Sequence, residues 1–374
     1  MIALRVWTGL VGCVIVLAGC VDSRPVVVSA TEAVLVEQSP LVEGRDGGQS
    51  ALLWGYSVWT FGDTVLKVFD ERRQNWHHNS FALTTDLDAA DGITGFVTPL
   101  DRALAPRYLL ASTREEQAFN DAHAGDGCAN PCGARWAVWP GAPVYDAIRD
   151  RAIIPYALVY AEPGEFNFRG VGQSFAVWRG IENEPERPVV DPTARHPTLL
   201  FREGEPAWGS GPVVVDDRFY VFACEPNGLA RPCFLANVPL EAILDRSAWR
   251  YYDGRGWSTS MKDAVPLFDG GVSMSVAFNR YLGRYLAVYS PPFSHNIMAR
   301  TASRLEGPWS RERVLYTVRG PHPPHGAVHH VEYDAQEGRV IYVSYSRPTS
   351  GWFGSDFVLI RIVLESAERR SRSS

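Results

Sequence analysis

An apolar run, a turn and a second run with alternating aromatics recur five times along this chain, and no other feature narrows its fold so far. The units are "SALLWGYSVWTFGDT", "AVWPGAPVYD" with "IIPYALVYAE", "GSGPVVVDDRFYVFACE", "SMSVAFNRYLGRYLAVYS" and "GAVHHVEYDAQEGRVIYVSYS". Each is followed by a further strand candidate, such as "NSFALTTD", "QSFAVW", "CFLANVP", "NIMARTA" or "FVLIRIVLE". Period-two patterning bounded by turn residues indicates strands. Near-equal units of an inner strand, a hairpin and one or two outer strands match the blades of a β-propeller. The fold class expected is therefore all-β, a five-bladed β-propeller over residues 44–365. A β-sandwich of similar hairpins is the rival, but it gives no reason for five near-equal units. Helical periodicity is confined to the stretches around Thr113–His123 and Leu240–Trp249. The aromatic content, Trp 12, Tyr 15 and Phe 17, with Gly 33 and Pro 26, fits a chain of strands and turns.

The amino terminus carries Arg5, an apolar run from Val6 to Leu17, and Leu17-Ala18-Gly19-Cys20. This reads as a secretory signal, residues 1–19, ending in a lipobox. About a dozen apolar residues are too few to span a bilayer of roughly 30 Å. Cys20 is then the expected lipidation site, residues 20–43 a tether, and residues 366–374 a disordered basic tail. The expected location is the cell envelope, lipid-anchored and extracytoplasmic, with a membrane partner through Cys20. Of the six cysteines, Cys13 lies in the signal and Cys20 takes lipid, which leaves Cys128 with Cys132 and Cys224 with Cys233. In an oxidising compartment these two local pairs are expected as short-loop disulfides. Neither pair has histidine at ligand spacing, so a zinc site is rejected. A net charge of −6 with 21% charged residues offers no basic field for nucleic acid.

In a propeller the first strand of each blade runs away from one mouth of the channel and the second returns to it. Second strands are expected to end at Asp63, Glu162, Glu225, Ser290 and Ser346, and first strands to begin near Asp46, Arg135, Ser210, Ser273 and His325. Asp46, Asp63, Glu162 and Glu225 thus converge on one mouth as candidate catalytic carboxylates. Paired carboxylates across a sugar-sized cleft serve glycoside hydrolysis: one protonates the leaving oxygen, the other activates water or attacks. Each has a structural alternative: a turn cap for Asp63, and a loop pinned by a disulfide for Glu225, with Glu162 equally open. Asp46 stands beside Gly47-Gly48, where backbone or ligand can come close. Arg45, Trp139, His325 and Arg347 are the candidate sugar-binding residues. His325 and His329 at i, i+4 share a strand face within "PHPPHGAVHH". The chemistry requires no metal or cofactor, and a calcium ion on the channel axis is compatible with it.

"GRDGGQSALLWGYSVWTFGDT", "NSFALTTD" and "RTASRLEGPWS" resemble the five-bladed glycosidases of glycoside hydrolase family 43. Together with "TREEQAFNDAH" to "RWAVWPGAPV", they more closely resemble a bacterial family long called a domain of unknown function (DUF4185-like), some of whose members are described as endo-acting D-arabinanases. Family 43 places an aspartate base on the first blade's inner strand, which Asp46 matches. Its acid is a glutamate on the third blade's inner strand, where this chain has Ser210 in "GSGPVVV". The resemblance therefore implies a surface glycoside hydrolase acting on a furanose-containing polysaccharide, such as an arabinan or cell-wall glycan, with its acid elsewhere. The alternatives are a non-catalytic glycan-binding propeller and a protein-interaction scaffold.

Overall fold

In a computed structural model, which describes residues 25–164, 166–349 and 353–366, five antiparallel sheets form one ring. Blade I is built on Val42–Leu53 and Tyr56–Leu66, with Trp76–His77 and Ser80–Thr84 both paired to the second strand. Blade II uses Arg135–Pro140, Arg151–Ala161, Phe168–Trp178 and Phe201–Arg202. Blade III uses Ser210–Val215, Arg218–Cys224, Pro232–Pro239 and Arg250–Tyr252. Blade IV uses Met274–Asn279, Arg284–Tyr289, Asn296–Ala302 and Arg313–Thr317. Blade V uses His325–His329, Val340–Pro348 and Ser355–Ser366, and its fourth strand is Pro25–Leu35. The expected signal segment 1–19, the expected lipidation site Cys20 and the expected tail residues 367–374 lie outside the described residues. Among the described residues no helix is long and apolar enough to cross a membrane.

The fourth strand of blade V corrects the expected tether. Residues 25–35 run antiparallel to Ser355–Ser366, from Pro25 opposite Ser366 to Leu35 opposite Val358. The sequence "PVVVSATEAVL" is rich in β-branched residues and suits an edge strand. The amino-terminal segment thus completes the last blade and closes the ring.

Five apolar clusters, one at each blade interface, hold the ring together. Period-two alternation makes this inevitable, because successive residues of a strand face opposite neighbours. In blade II, Ala152 and Ile154 pack with Val58 and Phe81 of blade I. Ile153 between them packs with Phe219 and Val221 of blade III. In blade IV, Ala287 and Tyr289 meet Phe222 and Leu235 of blade III, while Leu286 and Val288 meet Ile341 and Val343 of blade V. Trp59 and Phe61 complete the circuit against Tyr342, Phe357 and Leu359. Each fully buried Val, Leu, Ile or Phe contributes about 1.5–3 kcal/mol.

The seam between blades V and I also holds a polar network. The Ser50 hydroxyl lies 2.6 Å from His330 Nδ1 and 2.5 Å from Glu332 Oε1, and Ser57 donates to the same carboxyl oxygen at 2.7 Å. His330 is buried, stacked on Trp59, with Nε2 on the Ser344 hydroxyl at 2.7 Å. Burial raises the Glu332 pKa against the lowering effect of the two serine hydrogen bonds. The folded protein therefore holds this proton to a higher pH than the unfolded chain does. The contribution is present at acid pH and is lost as pH rises through the folded value. Glu332→Gln, which stays neutral, is expected to gain thermal stability relative to the parent as pH is raised from about 5 to about 8. A melting-temperature difference that does not change over that range would refute the account.

Local sequence explains the remaining elements. Arg114–Ala122 is an α-helix with a reciprocal capping box between Thr113 and Glu116. The second stretch expected to be helical is not an α-helix. Leu240–Ala242 and Arg246–Ala248 are short 3₁₀ turns, because Asp245 turns its side chain onto the Ser247 backbone N–H and restarts the chain there. Both expected disulfides are present, Cys128–Cys132 and Cys224–Cys233.

Candidate active site

The first hairpin of blade I is irregular where its acidic residues stand. Arg45 pairs with Thr64 and Gly47 with Phe61, so Asp46 on one strand faces Gly62 and Asp63 on the other. Such a bulge re-aims side chains that a regular ladder would bury or turn aside. Gly62 leaves room for the groups around it: a Cβ there would lie 3.8 Å from Trp139 Cδ1 and 3.9 Å from Asp46 Cβ. Gly48, at φ 87°, also allows a close approach, but the approaching group is protein. A Cβ at that position would lie 2.3 Å from the Phe357 ring of blade V.

The two carboxyls sit in different surroundings. Asp46 is half exposed, with Oδ1 3.2 Å from His325 Nε2. The hydrogen bond and charge of Asp46 raise the His325 pKa against a smaller opposing effect of burial. Asp63 is enclosed. Trp139 Nε1 donates to its Oδ1 at 3.3 Å, and the Trp76 indole faces the same carboxyl. Burial raises the Asp63 pKa most strongly, and the charge of Asp46 adds to the rise. The Arg135 guanidinium and the two indole N–H groups oppose it without cancelling it. A carboxyl tending to stay protonated thus stands beside one open to water and paired with imidazole. This is the division of labour that acid–base cleavage requires.

Aromatic side chains flank the pair on two sides. Trp139 packs edge-on against Phe168, with ring centroids 5.0 Å apart. Trp76 packs edge-on against Phe353 at 4.4 Å, and Arg135 lies 4.6 Å over the Trp76 ring. Apart from the pair, a cavity of about 550 Å³ opens between the blade I turn and the helix, lined by Arg72, Tyr108, Ser112, Arg114 and Gln117. That volume lies in the range of small-ligand sites.

The structure thus brings together Asp46, Asp63, Trp139 and His325. The other expected site residues are held apart from them. Arg45 is 4% exposed, on the opposite strand face from Asp46, with its guanidinium 3.9 Å over Phe61 and Nε on Gln38 at 3.4 Å. Burial lowers its pKa to about 9, and it is placed to support blade I rather than to touch a sugar. Arg347 lies 3.9 Å from Glu32 and 3.8 Å from Asp356, among the outer strands of blade V. Glu162 accepts the Tyr160 hydroxyl at 3.0 Å, and Glu225 accepts the Ala207 backbone N–H at 2.7 Å. Both sit in loops of the mouth, engaged by their own blades. Trp76 and Arg135 were not among the expected site residues. Trp76 comes from a two-residue strand after a polar turn, a segment with no periodicity to mark it.

Among the described residues, no three His, Cys, Asp or Glu side chains converge as a metal-holding group. The donors at the mouth are a carboxylate paired with an imidazole and a second carboxyl enclosed by indoles.

Residues 181–356 match the model of a family described as Domain of unknown function (DUF4185), the family that the sequence motifs resemble. No curated protein matches the chain. Among solved structures, a Bacteroides ovatus ATCC 8483 protein described provisionally as a hydrolase is similar at a TM-score of 0.57 and 15% identity, over 86% of this chain and 87% of its own. An α-L-arabinofuranosidase of Podospora anserina in complex with cellotriose matches at a TM-score of 0.49 and 14% identity, over 92% and 99%. A family 117 glycoside hydrolase of Zobellia galactanivorans matches at 0.48 and 9%, over 90% and 89%. The first of these likenesses is one of fold.

Proposed function

We propose that this protein is a glycoside hydrolase of the cell envelope that cleaves a furanose-containing polysaccharide, arabinan in type. The observation that carries the reading is the bulge that sets Asp46 opposite Gly62 and Asp63, one carboxyl open to water and the other enclosed by two indoles. Asp63 is the general acid: its proton passes to the glycosidic oxygen as the bond from that oxygen to the anomeric carbon breaks. Asp46 is the base or nucleophile, taking a proton from the attacking water or bonding the carbon directly. His325 orients Asp46 through its 3.2 Å contact. Trp139 and Trp76 bound the sugar's place and keep water from Asp63. The Asp63 assignment replaces Glu162 and Glu225, which are engaged in their own loops. The furanose class rests on the resemblance of the first-blade motif, and the envelope location on the lipobox at Cys20.

The reading is tested by incubating the soluble chain from Val21 onward with arabinans, xylans and arabinogalactan and measuring released reducing ends. Release from an arabinose-containing polymer is the expected result. Absence of release, with the protein still retained on one of the polymers, would replace this reading with a glycan-binding propeller that does not cleave.

A further inference from the structure

The loops joining second to third strands all emerge at the mouth that holds Asp46 and Asp63, and each carries an exposed apolar side chain. They are Phe69 in blade I, Phe166 in II, Leu229 in III, Phe293 in IV and Phe353 in V. Phe166 is 88% exposed, Phe293 85% and Leu229 77%. Scattered exposed apolar residues are ordinary and need no explanation. Equivalent positions in successive blades are not scatter. In blades II, III and IV the second strand is followed by a polar residue and a proline, Glu162-Pro163, Glu225-Pro226 and Ser290-Pro291, and the apolar tip follows within three residues of that proline.

The backbone strengthens the point. Phe166 and Phe293 hold φ at 56° and 58°, a left-handed conformation costly for an aromatic residue and easy for glycine. Neither side chain recovers that cost by packing, since both project into solvent. Non-glycine residues held in such conformations cluster at active sites and ligand-contacting surfaces.

We propose that Phe166, Leu229 and Phe293 form a rim platform that docks the sugar faces of a polysaccharide, outside the cleavage centre. This deepens the glycan reading and rests on it for the class of partner, but not on cleavage. The tips stand singly among hydrogen-bonding groups, Asn167, Asn227, Ser294 and Asn296. That mixture suits rings with an apolar face and hydroxylated edges, whereas a protein partner favours a contiguous apolar centre. The chain direction argues against a bilayer. Pro25 pairs with Ser366 at the end of blade V away from the mouth, so the described chain begins at the opposite face. Only four residues separate Cys20 from Pro25, a reach of roughly 15–20 Å. An anchor at Cys20 would hold that opposite face to the membrane and turn the rim outward.

The test is affinity electrophoresis of the soluble chain through gels containing arabinogalactan, arabinan or xylan, alongside the variant Phe166→Ala/Leu229→Ala/Phe293→Ala. The parent should be retarded by at least one polymer, with the variant's apparent affinity about tenfold weaker. Cleavage of a short soluble oligosaccharide should be unchanged in the variant, since these residues do not touch Asp46 or Asp63. Phe293→Gly should weaken retardation while holding the melting temperature at or above the parent's, because glycine adopts this φ freely. Retardation without any cleavage would leave the platform standing and remove the hydrolase reading. Equal retardation of parent and variant would overturn the platform. So would a parent that no polymer retards, whether or not it sediments with vesicles of phosphatidylglycerol and phosphatidylcholine.

Discussion

Asp63→Asn is expected to slow polysaccharide cleavage by about 10²–10⁴-fold while leaving the melting temperature near the parent's. The carboxyl accepts the Trp139 indole hydrogen bond at 3.3 Å, and an amide of the same shape can keep that contact while losing the proton to be donated. The loss should depend on the leaving group. An aryl glycoside, whose phenolate departs without protonation, should be cleaved by Asp63→Asn far better than the natural polymer is. Asp46→Asn should lose activity on both, because water or the anomeric carbon must be attacked whatever leaves. Equal losses on both substrates for Asp63→Asn would take Asp63 out of the acid's place. The pH dependence has a definite sign. Burial raises the Asp63 pKa, so the donor is protonated below that value and activity falls as pH rises through it. Asp63→Asn should lose that alkaline limb when assayed on the aryl glycoside.

A second large effect is expected far from the chemistry. The segment from residue 85 to 134 bridges blades I and II, and its helix is fastened by a buried pair, Arg187 with Glu116. Arg187 Nη1 and Nη2 reach the two carboxyl oxygens at 2.6 and 2.8 Å, the same carboxyl accepts the Thr113 N–H at 2.9 Å, and the guanidinium lies 4.8 Å over Tyr156. Burial alone would raise the Glu116 pKa, but the Arg187 hydrogen bonds and charge outweigh it and the net shift is downward. Arg187→Ala leaves a buried carboxylate without its cation and should destabilise the fold by about 3–5 kcal/mol. The denaturation midpoint in urea measures this. The pair's contribution is present above the ordinary carboxylate pKa and is lost as pH falls through the lowered folded value. The gap between parent and variant should therefore narrow in acid. An Arg187→Ala midpoint equal to the parent's would show that the helix is held by its apolar contacts alone.

What the sequence made legible follows from periodicity. Alternation over five units fixed where inner strands begin, and Arg135, Ser210 and His325 stand at the first positions of theirs. From that frame Asp46 and Asp63 could be placed at one mouth. The bulge that sets them face to face was not legible, because register depends on pairing energies across two strands. Trp76 was hidden because a two-residue strand has no period. Arg45 was misplaced by one strand face, since the irregular stretch "GRDGG" obscures which neighbour turns inward. The strand "PVVVSATEAVL" had a readable pattern, but nothing local tells a segment that its partner lies more than three hundred residues away.

That partnership has a consequence for how the molecule comes into being. The strand beginning at Pro25 is among the first parts of the propeller to be synthesised, and its hydrogen-bonding partner, Ser355–Ser366, is the last. Until that strand is made, the first strand is an unpaired edge and the cluster around Trp59 and Phe61 lacks Phe357 and Leu359. Ring closure is thus a post-synthetic event that brings together the most distant parts of the chain, the kind of contact that makes folding slow.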